Sequence, residues 1–202
     1  MDRNDQDLKW QPIKTEHIIQ DEWIDFRKVA YRMPDGTVFE PFYSYSRRSY
    51  VIIVASDEDG RYLCVKQFRH GIGEVTTEFS AGGIERTGEK EYVAGEDDAT
   101  AAEDALAAAK RELLEETGYT SDEWAHLLTV PSNATMADNY AHIFMAKHCK
   151  KCREQELDET EFLNVETHSA DEIEELIRSG KFQQATHILA WMLAKEHLLR
   201  DE

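Results

Sequence analysis

Arg111-Glu112-Leu113-Leu114-Glu115-Glu116-Thr117-Gly118-Tyr119 is the stretch on which the fold turns. It ends a run from about Thr100 that is rich in Ala, Leu, Glu, Lys and Arg, the strongest helix formers. Gly118 supplies the left-handed residue that commonly closes a helix. On such a helix Glu112, Glu115 and Glu116 stand at i, i+3 and i+4 and project from one face, and Arg111 can pair with Glu115 one turn on. Three adjacent carboxylates raise one another's pKa unless a cation neutralises them. Mg²⁺ takes oxygen ligands, typically a few carboxylates plus waters and substrate phosphates. The cluster is therefore a sensible cradle for a metal–diphosphate complex. Taken alone, the same glutamates read more readily as a solvated acidic helix face. The glycines upstream and the Gly-Tyr that ends the helix shift that balance.

Outward from this helix the chain reads as β on both sides. His17 to Gln20, Trp23 to Met33 and Thr37 to Ser46 carry β-branched and aromatic residues in partial alternation. Pro34-Asp35-Gly36 joins the last two as a turn, with φ preset by Pro, local capping by Asp and a positive φ at Gly. Tyr50 to Ala55 is a buried-strand run, and Asp57-Glu58-Asp59-Gly60 turns it into Arg61 to Phe68. After the helix, Trp124 to Val130 and Tyr140 to Lys147 read as strands around a polar loop, residues 131–139. A short strand, Phe162 to Glu166, precedes two helices, Ala170 to Ser179 and about Gln184 to Leu199. Strands before and after a central helix predict an α+β fold, a mixed central sheet between helices with an N-terminal antiparallel β region. No repeat and no Pro- or Ser-rich linker divides the chain.

Composition bounds the function. The 202 residues carry 23 Lys+Arg against 41 Asp+Glu, a formal charge of −18. With 41% hydrophobic residues, a chain of this length buries roughly 70% of its unfolded surface around one core. That argues against disordered, collagen-like and disulfide-stapled classes. The longest apolar run, Tyr50 to Ala55, is far short of a membrane helix, and Met1-Asp2-Arg3-Asn4-Asp5 lacks the apolar core of a signal peptide. A cytoplasmic protein is expected. The negative charge disfavours duplex nucleic acid and anionic membranes. A small phosphorylated ligand needs a cation to bring it in, and a divalent metal is the obvious one. Cys64, Cys149 and Cys152 read as reduced thiols. Cys149-Lys150-Lys151-Cys152 is half a zinc motif without a second half, so a strand end running into a polar loop is the better reading.

The sequence resembles the Nudix hydrolase family. The family's box reads G, five residues, E, seven residues, R-E-U-x-E-E-x-G-U, with U bulky and apolar. Arg111, Glu112, Leu113, Glu115, Glu116, Gly118 and, more loosely, Tyr119 meet its second half. Gly83 and Glu89 carry the five-residue gap of the first half, but residues 90–110 put 21 positions where the family has seven. This reads as an insertion at about 90–103. Alternatively Glu103, eight before Arg111, fills the first glutamate position, with Asp97 where the family has glycine. Lys66-Gln67-Phe68-Arg69 and Glu78-Phe79-Ser80-Ala81-Gly82-Gly83 resemble the Q-aromatic-R and E-x-P-A-G patterns of the ADP-ribose and nucleoside diphosphate sugar pyrophosphatase branch. Ser80 stands where that branch usually has Pro, and either Gly82 or Gly83 is the box glycine. Ser132-Asn133-Ala134-Thr135 replaces the branch's S-P-G.

The resemblance implies a Nudix α/β/α sandwich over 48–202 and an N-terminal β region, 1–47, that pairs two subunits as a homodimer. It implies Mg²⁺ or Mn²⁺ held by Glu112, Glu115, Glu116, the Ala81 carbonyl and Glu161. Glu115 and Arg111 act in catalysis, with Arg111 orienting a glutamate and Glu159 as the base. Arg69 and Glu78 serve the substrate, a small nucleoside diphosphate such as ADP-ribose or a related sugar. A solvated-loop reading of Glu159 and Glu161 stands beside this one, as does an ordinary exposed position for Arg69. Trp23, Phe26, Phe42 and Tyr43 read either as base-stacking rings or as core and dimer contacts. The alternatives for function are another Nudix substrate (a dinucleoside polyphosphate, CoA-type compound, NADH or nucleoside triphosphate) or a non-catalytic nucleotide sensor.

Overall fold

The structure, a computed structural model, describes residues 3–85 and 104–201. Glu89, Glu103, the 90–103 insertion and the first residues of the expected central helix lie outside the described residues. The chain forms two compact units. Among the described residues, the first holds 3–48 and Pro131–Asn139, and the second holds Ser49–Glu85, 104–130 and the chain from Tyr140 onward.

The first unit is a three-stranded antiparallel sheet, β1 (Gln11–Gln20), β2 (Asp25–Arg32) and β3 (Val38–Ser46), in that order. The Pro34-Asp35-Gly36 turn forms as expected, with Gly36 at φ 86° and Thr37 N–H donating to Asp35 Oδ1 at 2.9 Å. β1 begins at Gln11 rather than His17, and every residue of it is exposed, so no apolar alternation marks its start. β2 begins only at Asp25, because Asp21 accepts from the Trp23 and Ile24 N–H groups and makes a turn there. Phe26 and Tyr43 stack on each other at 5.6 Å, Phe42 packs with Trp10, Tyr31 and Phe39, and Trp23 stands exposed. Buried Asp25 pairs with Arg27 and His17, and Arg27 reaches Asp138 at 2.9 Å. Tyr45 N–H donates to the Met136 carbonyl at 2.7 Å.

The second unit is built on β4 (Tyr50–Asp57), whose Val51 to Ala55 are wholly buried. Its neighbours are β5 (Tyr62–Arg69), which it meets antiparallel, and β10 (Tyr140–Lys151), which runs parallel with Ile52 opposite Ile143. A parallel central strand covered on both faces needs such an unbroken apolar run. β11 (Leu163–His168) flanks β5, β6 (Glu74–Glu78) pairs with β5, and β7 (Ser80–Gly83) pairs with β4. β8 (Tyr119–Thr120) and β9 (Glu123–Pro131) pair with β10. Alternate side chains of β4 serve two cores. Ile52 and Val54 face α2 (Ala170–Arg178) and α3 (Ala185–Asp201) through Ile173, Ala190 and Trp191. Val51, Ile53 and Ala55 meet Ala108, Ala109 and Leu113 of α1 (Ala105–Thr117). The result is the expected α+β sandwich with a mixed sheet.

In the second unit β6 and the end of β10 also differ from the sequence reading. β6 has no apolar pattern of its own, since its buried members are Thr76, Thr77 and Glu78. β10 continues past Lys147 through an irregularity between Ala146 and Cys149, where His148 takes φ 52°, and then pairs with β8. The Cys-Lys-Lys-Cys run thus extends the strand rather than leaving it at Lys147. Cys149 is buried within the strand, and Cys152 lies exposed just past its end at Lys151.

α1 opens on Asp104, which accepts from the Leu106 and Ala107 N–H groups, and closes on Gly118 at φ 77°. A Cβ at Gly118 would lie 2.1 Å from the Arg153 carbonyl oxygen. Gly118→Ala is expected to lower the unfolding free energy by about 1–3 kcal/mol, from left-handed strain and that backbone clash. An unshifted urea midpoint would refute this.

Candidate active site

The buried stripe of α1 is Ala108, Ala109, Glu112, Leu113 and Glu116, so two carboxylates occupy positions that helix packing normally gives to apolar side chains. The backbone of β7 receives both. Glu112 lies against Gly82, where a Cβ would stand 2.0 Å from its carboxyl carbon, so only glycine leaves room for it. Glu116 accepts from the Ala81 N–H at 3.0 Å. Gly82, one of the two box-glycine candidates, is thus a position where a side chain would run into a glutamate. Gly83 supplies a carbonyl to Arg111 Nη2 at 2.9 Å.

Arg111 Nη1 bridges Glu112 Oε1 at 2.8 Å and Glu115 Oε2 at 2.9 Å, which realises the expected i, i+4 pair and adds a second. Burial pushes the Glu112 carboxyl up to about 7, against the pull of Arg111, and the charges of Glu115 and Glu161 push it the same way. Burial also pushes Glu116 up to about 8; Ser80 and Ala81 oppose this, and Glu112 and Glu161 add to it. Glu161 therefore bears on the same cluster from a distant part of the sequence. It accepts from the Asp158 N–H at 3.1 Å in a tight turn, and Glu159 is exposed in the same turn.

That turn reaches the helix because the chain before it satisfies the last carbonyls of α1. Cys152 N–H donates to Gly118 O, Glu156 N–H to Glu115 O and Gln155 Nε2 to Glu116 O, at 2.9, 2.9 and 2.6 Å. Free C-terminal carbonyls demand partners. The sequence gives no local sign that residues 152–156 supply them.

Arg69 donates through Nε to Glu78 Oε1 at 2.7 Å. Glu78 is 0% exposed, so its carboxylate reaches the surface only through its pair with Arg69. Burial raises its pKa, and Arg69 opposes the rise. The sequence reading omits His187. It is buried on α3, accepts the Phe79 N–H through Nδ1 at 3.2 Å, and is pushed by burial down to about 3. It thus holds the junction of β6 and β7 as a neutral imidazole, and no spacing rule in the sequence marks it.

Among the described residues, no three His, Cys, Asp or Glu side chains stand as a ready metal-ligand set, and Arg111 bonds Glu112 and Glu115 instead. The donors themselves suit a hard divalent ion: carboxylate oxygens, two of them buried where ionisation is costly without a cation, beside a glycine that leaves them room.

Residues 46–192 match the NUDIX domain, most of the chain, and the protein belongs to the Nudix hydrolase family. It is similar to an ADP-ribose pyrophosphatase of Bacillus subtilis (strain 168), 27% identical over 194 residues that cover 95% of this chain and 96% of the relative. It is also similar to a methanol dehydrogenase activator of Bacillus methanolicus, 25% identical over 185 residues, 88% of each chain. A solved ADP compounds hydrolase superimposes with a TM-score of 0.78 at 20% identity, with 96% of both chains covered.

The buried glutamates make stability depend on pH when no metal is present. Their folded pKa values lie above the ordinary carboxylate value, so the folded chain holds protons that the unfolded chain releases. This contribution is complete below about pH 4.5 and is lost as pH rises through about 7 to 8. In chelator, the melting temperature is expected to fall between pH 5 and 8, and Glu116→Gln to flatten that slope. An equal slope in the variant would refute the assignment.

Proposed function

We propose that the protein hydrolyses the diphosphate bond of ADP-ribose or a related nucleoside diphosphate sugar, using Mg²⁺ or Mn²⁺, to give a nucleoside monophosphate and a sugar phosphate. The observation that carries this reading is the buried Glu112–Glu116 pair, with Arg111–Glu115 on one side and the charge of Glu161 acting on it from the returning loop. The Bacillus subtilis relative, named an ADP-ribose pyrophosphatase and aligned over nearly the whole of both chains, supports the substrate class.

Glu112, Glu115, Glu116, Glu161 and the Ala81 carbonyl would hold the metal. When bound, the metal neutralises charge on the diphosphate and acidifies a water. Glu159 would take the proton of an attacking water as that water's oxygen bonds to one phosphorus and the bridging oxygen leaves with the other phosphate. Arg111, anchored on Gly83 O, holds Glu112 and Glu115 in place. Arg69, with Nε fixed by Glu78, presents its terminal nitrogens to a phosphate or ribose. Such a fork suits phosphate oxygens.

The test is hydrolysis of ADP-ribose, GDP-mannose, UDP-glucose, diadenosine polyphosphates and NADH with Mg²⁺, Mn²⁺ or EDTA, with products read by phosphorus NMR. EDTA-sensitive release of a nucleoside monophosphate from a sugar conjugate is expected. Glu115→Gln and Glu116→Gln should each lose at least about 100-fold, and Glu159→Gln about 10²- to 10⁴-fold. Turnover confined to the other substrates, or unaffected by these changes, would overturn the reading.

We also assign the N-terminal sheet to a homodimer contact. The sheet and the residues flanking its strands expose Trp10, Ile13, Ile18, Ile19, Trp23 and Phe39, an apolar set suited to a partner of the same kind. Light scattering should give twice the chain mass, and a monomer at micromolar concentration would exclude the contact.

A further inference from the structure

Arg111 gathers three carboxylates around one nitrogen, one more than that nitrogen bonds. Nη1 carries two hydrogens, which go to Glu112 Oε1 at 2.8 Å and Glu115 Oε2 at 2.9 Å, while Glu85 Oε1 stands 4.0 Å away. The backbone keeps Glu85 there. Gly83 pairs with Tyr50 of β4 and gives its carbonyl to Arg111 Nη2. Ile84 donates its N–H to Ser49 O at 2.9 Å and packs against the core beneath α1. One glutamate of the cluster has to move before a metal binds, since among the described residues no three acidic side chains stand as a ready ligand set. Glu112 lies against Gly82 and Glu116 is buried, so both are enclosed. The Glu115 side chain is 33% exposed and has room to turn.

We propose that Glu85 is a positioning residue that takes over Arg111 as the site fills: Glu115 turns from Nη1 to the metal, and Glu85 closes on the hydrogen that Glu115 releases. The inference rests on the proposed metal role of Glu115. Arg111 holds Glu115 near the site until that moment. The guanidinium itself stays where it is, because Nη2 is tied to Gly83 O and the other Nη1 hydrogen to Glu112. An N–H left open beside an incoming divalent cation would repel that cation and pull Glu115 back. Glu85 removes both effects by moving from 4.0 Å to hydrogen-bond distance, and its side chain, 60% exposed, has the space to do so. An outer partner of this kind sets metal affinity without touching the metal.

The test is calorimetric titration of Mn²⁺ alone into the full chain, Glu85→Gln, Arg111→Gln and the double variant, each checked for folding by thermal unfolding in chelator. Glu85→Gln should bind Mn²⁺ about tenfold more weakly than wild type. In chelator it should melt at the wild-type temperature, since an exposed contact at 4.0 Å adds little to stability. In the Arg111→Gln background the same change should have no further effect, because Glu85 acts through the guanidinium. A crystal structure with Mn²⁺ bound should show Glu85 bonded to Arg111 Nη1 and Glu115 turned off it, and this decides the matter if Arg111→Gln does not fold. Wild-type Mn²⁺ affinity in folded Glu85→Gln overturns the proposal. So does a loss that persists in the Arg111→Gln background, which marks a direct ligand or a general charge effect, or an Mn²⁺-bound structure in which Nη1 still bridges Glu112 and Glu115. A wild-type chain that takes up no Mn²⁺ removes the metal reading of Glu115, and this inference with it.

Discussion

Two carboxylates on the inner stripe of α1 set the terms for everything near them. Glu112 and Glu116 turn toward the sheet with Leu113 and Ala109, and an ionised carboxylate there is strongly disfavoured by desolvation. The surroundings answer residue by residue. Gly82 gives up its side chain so that Glu112 has space, the Ala81 N–H donates to Glu116, and Arg111 spans Glu112, Glu115 and the Gly83 carbonyl. β7 is consequently both a strand of the sheet and the floor of the site.

The helix is equally constrained at its far end. Its last carbonyls are filled by residues 152–156, and that crossing carries the chain into the turn that holds Glu159 and Glu161. A capping requirement of the backbone thereby delivers an acidic side chain to a cluster already crowded with negative charge. That arrangement is hard to account for as packing alone. It suits the cation and diphosphate of the function proposed above.

The β6–β7 junction shows a second layer of support. Glu78 is buried to fix Arg69, Phe79 fills the core beside Phe182, and His187 accepts the Phe79 N–H as a neutral imidazole. One short segment therefore places a cation, a core aromatic and the Glu116 floor in consecutive residues. Its side chains alternate between the site and the core, as the two-residue period of a strand requires.

Several of these features are legible in the sequence because they are local. The spacing of Glu112, Glu115 and Glu116, the cap at Gly118, the turn at Pro34-Asp35-Gly36 and the apolar run of β4 each depend on residues within a few positions of one another. β6, the start of β1 and the continuation of β10 past Lys147 escape such a reading, since pairing with a neighbouring strand creates them rather than any pattern of their own. The same holds for the site. The sequence by itself determined which face of α1 carries the carboxylates, because helical periodicity depends only on spacing. Only the tertiary structure decided that this face turns inward onto Gly82 and Ala81, that residues 152–156 bring Glu161 back to it, and that His187 holds the β6–β7 junction beside it. Burial and long-range hydrogen bonds join residues far apart in the chain, and no local pattern encodes them.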